Sequence, residues 1–340
     1  MPTIKDVARE AGVSIATVSY VLNNKEAFVS AETRRQVLET IERIGYTPNV
    51  TARNLKASQT RLIGYAWHEV PHNQVNSVLD RFTYYLAQAA EAAGYHVLTF
   101  THAQHDPLPA YQELINTQRV DAFVLSGTNA DDPRIRFLMD ENFPFVCFGR
   151  SNPEWNFYWV DTDGEQGVYE AVNYLIGLGH RQIAVAAWPE QSITGNFRLA
   201  GYFRALREAG IDISPDYVVR GEHSEQAGRE ALASWCRLPR REQPTAVVAM
   251  SDLVAIGVMN EAETRGLVVG ESLSVIGFDD APMSQYLRPA LTTIQQPIVE
   301  IGQALIEMLQ AVLKKEQPEI PNLLIPTRFI RRASCGFIVR

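Results

Sequence analysis

GVSIATVSYVLNN, residues 12–24, decides how the start of this chain is read. It carries no charge, although it stands between segments full of Lys, Arg and Glu. Ser14 is placed to cap a helix in which Val18, Val21 and Leu22 fall on one side and Ile15, Ala16, Ser19 and Tyr20 on the other. Upstream, Thr3 and Asp6 have capping-box spacing, and Ile4, Val7, Ala8 and Ala11 recur on one face of a helix that ends at Gly12. Downstream, a third helix is expected from Ser30, with Val37, Leu38, Ile41 and Ile44 as its buried stripe. Two short helices joined by a tight Gly turn and braced by a third make a helix-turn-helix arrangement, although a plain three-helix bundle would show the same caps and stripes.

The charge balance agrees with a binding head on a different body. Residues 1–60 carry eight basic side chains against six acidic ones, whereas the whole chain has a net charge of -8. A protein with that total does not coat nucleic acid, but one mildly basic segment can still bind it. The 340 residues, 46% hydrophobic and 21% charged, suffice for at least two globular domains. No apolar run approaches the roughly 20 residues that span a bilayer, and residues 1–10 hold no apolar stretch of the signal-peptide kind, so a cytoplasmic protein without membrane contact is expected. Cys147, Cys236 and Cys335 lie too far apart for a metal site or a disulfide framework.

After Arg61 the pattern changes to apolar strands alternating with helices, which implies parallel sheets covered on both faces. RLIGYA, YHVLTFT, DAFVLSG and PFVCFG read as one set of strands, with helices near residues 74–94, 107–118 and 133–141. RQIAVAAW, DYVVRG, TAVVAMSD and SLSVIGFDD read as a second set, with helices near 164–178, 195–210, 224–235 and 252–266. The expected fold class is therefore α/β, a small all-α head followed by two tandem doubly wound parallel-sheet lobes. Ligands of such sheets bind beyond the carboxyl ends of the strands, which suggests a cleft between the lobes.

The opening as a whole, TIKDVAREAGVSIATVSYVLNN, then VSAETRRQVLETIERIGYTPN and ARNLKAS, resembles the head of the lactose repressor and galactose repressor family of bacterial transcription regulators over about the first 58 residues. The resemblance implies that the second helix enters the major groove, with Ile15, Ala16 and Tyr20 at the base-reading positions. Apolar side chains there can pack on a thymine methyl, and the Tyr hydroxyl can bond a base or phosphate. Ser14, Thr17, Ser19 and Asn23 are then phosphate contacts that set register, with Thr3 and Asn49 also counted among the DNA contacts. The family commonly has Arg at the position of Tyr20, so the operator sequence does not carry over. Residues 47–58, TPNVTARNLKAS, are by composition a linker. By resemblance they are a hinge helix that folds when two copies meet on DNA, with Ala52 and Leu55 in the minor groove and Arg53 and Lys56 on phosphates.

The body is similar to the family's effector-binding core, itself like periplasmic binding proteins. Its implied parts are a head over 1–46, a hinge over 47–60, a first lobe over 61–160 plus 293–323, and a second over 161–292 plus 324–340, with crossings near Val160, Thr292 and Leu324. Arg198, Asp279, Ser126, Arg150, Ser251 and Gln296 match effector positions. Asp252 is read as a helix cap or a ligand contact. A carboxylate and a guanidinium facing one cleft can bracket the hydroxyls of a neutral polyol. Aromatic rings supply the apolar half of sugar binding, and Trp67, Trp155, Tyr158, Trp159 and Trp188 fall at strand ends or in loops. His72, in the loop HEVPHNQVN, is a further expected contact; its pairing with His68 suits polar surface or ligand better than metal.

The scattered histidines offer no catalytic triad, and nucleotide-binding glycine motifs are absent. The expectation is thus no enzyme and no cofactor or metal, but a homodimeric repressor of sugar-utilisation genes on a near-palindromic operator, released when a mono- or disaccharide enters the cleft. A nucleobase-responsive regulator of the same fold and a plain solute-binding receptor remain as alternatives.

Overall fold

The computed structural model describes residues 2–22, 28–46, 59–67, 76–103 and 105–338. The expected DNA contacts Asn23, Asn49, Ala52, Arg53, Leu55 and Lys56 lie outside the described residues, as do His68 and His72. The chain divides into two compact units, residues 1–60 and 61–340.

In the first unit, α1 (Ile4–Glu10), α2 (Ile15–Leu22) and α3 (Ala31–Ile44) form the three-helix head. Each start has a side chain for its orphan amides. The Thr3 amide and hydroxyl donate to Asp6 Oδ2 at 2.9 and 2.7 Å, while Ser14 Oγ accepts from the Thr17 amide and Ser30 Oγ from the Thr33 amide. Val7, Ala8, Ala11, Val18, Val21 and Val37 close the core between them. Leu38 does not join it and stands 46% exposed. One residue past Val37 turns the side chain by about 100° out of the stripe, and Thr40 takes the buried place, its hydroxyl donating to the Gln36 carbonyl at 2.8 Å.

The second unit begins with β1 (Leu62–Ala66), α4 (Ser77–Ala92), β2 (His96–Phe100), α5 (Leu108–Asn116), β3 (Ala122–Leu125), α6 (Pro133–Asp140), β4 (Phe145–Phe148) and β5 (Trp159–Thr162). It continues with α7 (Gly164–Gly177), β6 (Ile183–Ala187), α8 (Ile193–Glu208), β7 (Val218–Arg220), α9 (Glu225–Trp235), β8 (Ala246–Ala249), α10 (Asp252–Thr264) and β9 (Ser274–Ile276). It ends with β10 (Thr293–Gln295), α11 (Ile298–Leu313), β11 (Asn322–Ile325) and β12 (Arg328–Ile330). The first lobe is a parallel sheet of order β11-β5-β4-β3-β1-β2; the second is a parallel sheet of order β7-β6-β8-β9. Central strands such as β3, β6 and β8 are buried at every residue, as helices on both faces require.

Three features depart from the sequence reading. The first sheet keeps its strands to Thr162 and Ile325, because Leu324 pairs with Asp161 and Ile325 with Thr162, so the lobe boundaries move beyond 160 and 323. β10 belongs to the second lobe and not the first: Asp279 bridges to Gln295, Thr293 pairs with Ile330 of β12, and Ile294 lies in the second-lobe core. α11, unforeseen, packs Ile301, Leu305 and Leu309 into the first-lobe core.

The second lobe is closed by backbone approach and by the chain's last stretch. On α9 and α10, Gly228 and Gly257 face one another so closely that a Cβ on Gly257 would run into the Glu225 carbonyl, and one on Gly228 into that of Val254. Ser334, fully buried, donates to the Val275 carbonyl at 2.6 Å and accepts from the Thr292 amide at 2.8 Å. Gly336 O is reached by His180 Nε2 at 3.1 Å, whose ring is also bonded to Thr245 and Ser274. Replacing Gly257 with Leu is expected to destabilise the second lobe by at least about 1–3 kcal/mol, the usual scale of overpacking. Thermal unfolding followed by near-ultraviolet circular dichroism tests this, and an unchanged midpoint would refute the close packing of α9 on α10.

Candidate functional site

The head presents one uncharged exposed face. Ile15 is 46% and Tyr20 36% exposed, with Ala16 between them in the helical register, while Val18 and Val21 point into the core. Ser14 caps α2 and also bonds the Thr17 hydroxyl at 2.9 Å, Ser19 lies half-buried at the margin, and Thr3 remains in its capping box. A face of this make-up offers apolar contact and one phenol, not a charge cluster. The Tyr20 ring stacks on Phe28, with centroids 5.2 Å apart and planes at 30°.

In the second unit, the carboxyl ends of the parallel strands of both lobes converge on a cleft of about 230 Å³. The first lobe contributes Thr128 after β3, Arg150 after β4 and the β5 residues Asp161 and Thr162. From the second lobe come Trp188 after β6, Phe197 and Arg198 on α8, His223 after β7 and Asp279 after β9. Gln296 enters from the crossing that follows β10.

Arg198 is the centre of the second-lobe wall. Its guanidinium lies 3.6 Å from the Phe278 ring centroid and 4.7 Å from that of Trp188, and Nη1 donates to the Met250 carbonyl at 2.5 Å. His223 stacks on Trp188, centroids 5.3 Å apart. Asp279 stands 4.0 Å from Arg198 Nη1 and accepts from Gln296 Nε2 at 2.7 Å, and Gln296 Oε1 in turn accepts from the Thr162 hydroxyl at 2.9 Å. Asp279 sits at φ 118°, a backbone region that costs a non-glycine residue about 1–3 kcal/mol, and its amide is held by the Ile294 carbonyl at 2.7 Å. On the first-lobe side, Arg150 Nε donates to Asp161 at 2.8 Å while its guanidinium lies 3.4 Å from the ring centre of Phe197, across the cleft.

Burial sets the electrostatics. It pushes the carboxyls of Asp279 and Asp161 above the ordinary range, opposed by Arg198 for the first and Arg150 for the second. Burial also lowers Arg198, opposed mainly by Asp279. Two guanidiniums and two carboxyl groups thus offset one another in the wall. The His223 ring is pushed down to about 4 by burial and by the positive charge of Arg198, so it is neutral at physiological pH.

The sequence-expected residues divide. Arg150, Trp188, Arg198, Asp279 and Gln296 line the cleft together. Ser126 is turned to the Tyr65 phenol at 2.9 Å behind the wall, and Trp67 is 44% exposed outside the lining. Ser251, not Asp252, caps α10, accepting from the Val254 amide at 3.3 Å. Asp252 instead accepts from the Ala281 amide and the Ser284 and Thr293 hydroxyls, tying the loop after β9 to β10. Trp155, Tyr158 and Trp159 pack against the first-lobe core. Sequence reasoning missed Asp161, Phe197 and His223; His223 follows the end of β7, the kind of position that would have found it, whereas Asp161 lies within β5 and Phe197 on α8.

A base whose folded-state value lies below its ordinary 6.5 adds stability that is complete above that pH and is lost as the pH falls toward about 4. Relative to His223→Gln, the wild-type protein should therefore lose thermal stability as the pH falls from 6.5 to 4. Parallel pH profiles for the two would contradict a neutral buried ring.

Comparison with known proteins agrees with this architecture. A model described as "Bacterial regulatory proteins, lacI family" matches residues 3–49, and one for a periplasmic binding protein-like domain matches residues 172–335. Catabolite control protein A of Priestia megaterium is 33% identical over 336 residues, 98% of both chains. The transcriptional repressor CytR of Escherichia coli is 34% identical over 98% of this chain and 96% of its own. Among solved structures, a LacI-family regulatory protein of Chloroflexus aggregans is 45% identical with a TM-score of 0.78, covering 82% of this chain and 99% of that one. The lac repressor dimer bound to operator and the anti-inducer ONPF has a TM-score of 0.81 at 28% identity over 98% and 99% of the two chains. The complex of the regulator CelR with cellobiose has a TM-score of 0.75 at 28% identity over 98% and 100%. These relatives are regulators and not enzymes, and Catabolite control protein A, CytR, CelR and the lac repressor match this protein along nearly its full length: the chain belongs to the lacI family of bacterial transcriptional regulators.

Proposed function

We propose that this protein is a homodimeric repressor of sugar-utilisation genes whose operator affinity falls when a neutral mono- or disaccharide binds between the lobes. The observation that carries the reading is the balanced wall of Arg198, Asp279, Arg150 and Asp161 beside the Trp188 and Phe197 rings. A wall without net charge suits a polyol, whose hydroxyls both donate and accept. Trp188 Nε1 and Arg198 Nε, buried donors without a protein acceptor among the described residues, would be satisfied by sugar oxygens. The cellobiose complex of CelR supports a sugar in this fold.

On DNA, α2 enters the major groove with Ile15, Ala16 and Tyr20 at the base edges, and two heads of a dimer read the halves of a near-palindromic site. The dimer bound to operator in the lac repressor structure supports that arrangement. In the first lobe, α4 is the expected contact between subunits. Effector enters the signal by favouring one angle between the lobes; a coupling of about 1–3 kcal/mol is the usual scale. With no helix long and apolar enough to cross a membrane among the described residues, a cytoplasmic site of action is part of the reading.

Asp279→Ala is expected to keep operator affinity and abolish the response to effector; an intact response would remove Asp279 from the site. Calorimetric titration of the purified dimer with sugars and with purines decides the ligand class, and binding of purines alone would replace the sugar reading with the nucleobase one. Leu55→Ala is expected to weaken specific operator binding far more than non-specific binding, and equal losses would discard the minor-groove wedge.

A further inference from the structure

Phe28 is the anomaly of the head. It is 68% exposed, contributes nothing to the core formed by Val7, Ala8, Ala11, Val18, Val21 and Val37, and lies just before the Ser30 cap of α3. Its neighbour in sequence, Val29, packs on that core, so the chain here turns one apolar side chain in and the next out. The outward ring lies on Tyr20, centroids 5.2 Å apart with the planes inclined by 30°, on the face that also carries Ile15. That contact joins α2 to the residue that leads into α3, across the stretch between them.

Physical chemistry gives this contact a purpose. A phenol presents one hydroxyl, and it distinguishes base pairs only if its ring is held in one orientation. On an exposed helix face a Tyr side chain exchanges rotamers freely, and freezing it on binding costs entropy that a pre-positioned ring does not lose again. An offset stack on a second ring supplies that constraint without a charge or a buried polar group. It also makes the two rings one apolar plate beside Ile15.

We propose that Phe28 is a specificity-determining positioning residue for operator recognition: by stacking on Tyr20 it fixes the phenol that reads a base pair, and it sets how strongly that base pair is discriminated. This rests on α2 being the reading helix. The full-length protein is tested by selection from a library of randomised operators and by competition between specific and non-specific duplexes. Wild type, Tyr20→Ala, Phe28→Ala, Phe28→Tyr and the Tyr20→Ala/Phe28→Ala double variant are compared. Phe28→Ala should lose about tenfold in the ratio of specific to non-specific affinity, near the lower range for one mismatched base pair, and only at the position whose preference Tyr20→Ala erases. Phe28→Tyr should restore that preference, and the double variant should be no worse than Tyr20→Ala alone. Thermal unfolding of the head should be unchanged, since Phe28 is outside its core. If Phe28→Ala leaves selectivity intact while Tyr20→Ala alters it, the role of Phe28 is overturned and the reading helix stands. Losses that are uniform across all duplexes, or that add in the double variant, overturn it as well. If Tyr20→Ala itself changes no preference, both the proposal and the assignment of α2 fail.

Discussion

The second unit is organised around one buried cation. Arg198 lies between the rings of Phe278 and Trp188, bonds the carbonyl after β8 and faces the carboxyl after β9. A guanidinium taken out of water is tolerable only when its charge and donors are answered on several sides. That demand places three strand ends, those of β6, β8 and β9, around a single group, and the His223 ring after β7 stacks on Trp188. The remaining wall follows: Asp279 must stay near Arg198, Gln296 must hold Asp279, and Thr162 must hold Gln296. A relay of hydrogen bonds thus runs from the second lobe through the crossing after β10 to the end of β5 in the first.

A ligand at the proposed site would act on this relay. Gln296 and Thr162 lie where the chain crosses between the lobes, so a molecule that bonds Asp279 competes with contacts that also fix the relation of the two sheets. Arg150 on Phe197, and Arg81 Nη1 on the Asp280 carbonyl at 3.2 Å, are two more contacts from one lobe to the other. Asp279 takes part in this with an unfavourable backbone angle, which places its carboxyl where a relaxed strand would not.

Much of this was legible in residue order, and the rest failed for identifiable reasons. Caps at Thr3, Ser14 and Ser30 are local and act through their nearest neighbours, so they read directly from sequence. Arg198 and Asp279 were reached through resemblance, and Trp188 by its place at a strand end. Leu38 was misassigned because a stripe one residue wider looks equally periodic, while a buried Thr satisfied by its own helix leaves no pattern. Asp252 was misread because its partners, Ala281, Ser284 and Thr293, are 29 or more residues away. Asp161 and Phe197 stayed hidden for a similar reason: each gains its meaning from Arg150, placed beside them only by the fold.

The stitching of Ser334 and Gly336 into the second lobe has a consequence for biogenesis. The three-helix head has its core partners within the first few dozen residues and can fold as soon as they leave the ribosome, whereas β9 and His180 wait for a segment made much later. The first lobe waits too, for α11 and β11. During most of its synthesis the chain therefore carries a finished reader attached to an effector module that cannot yet close.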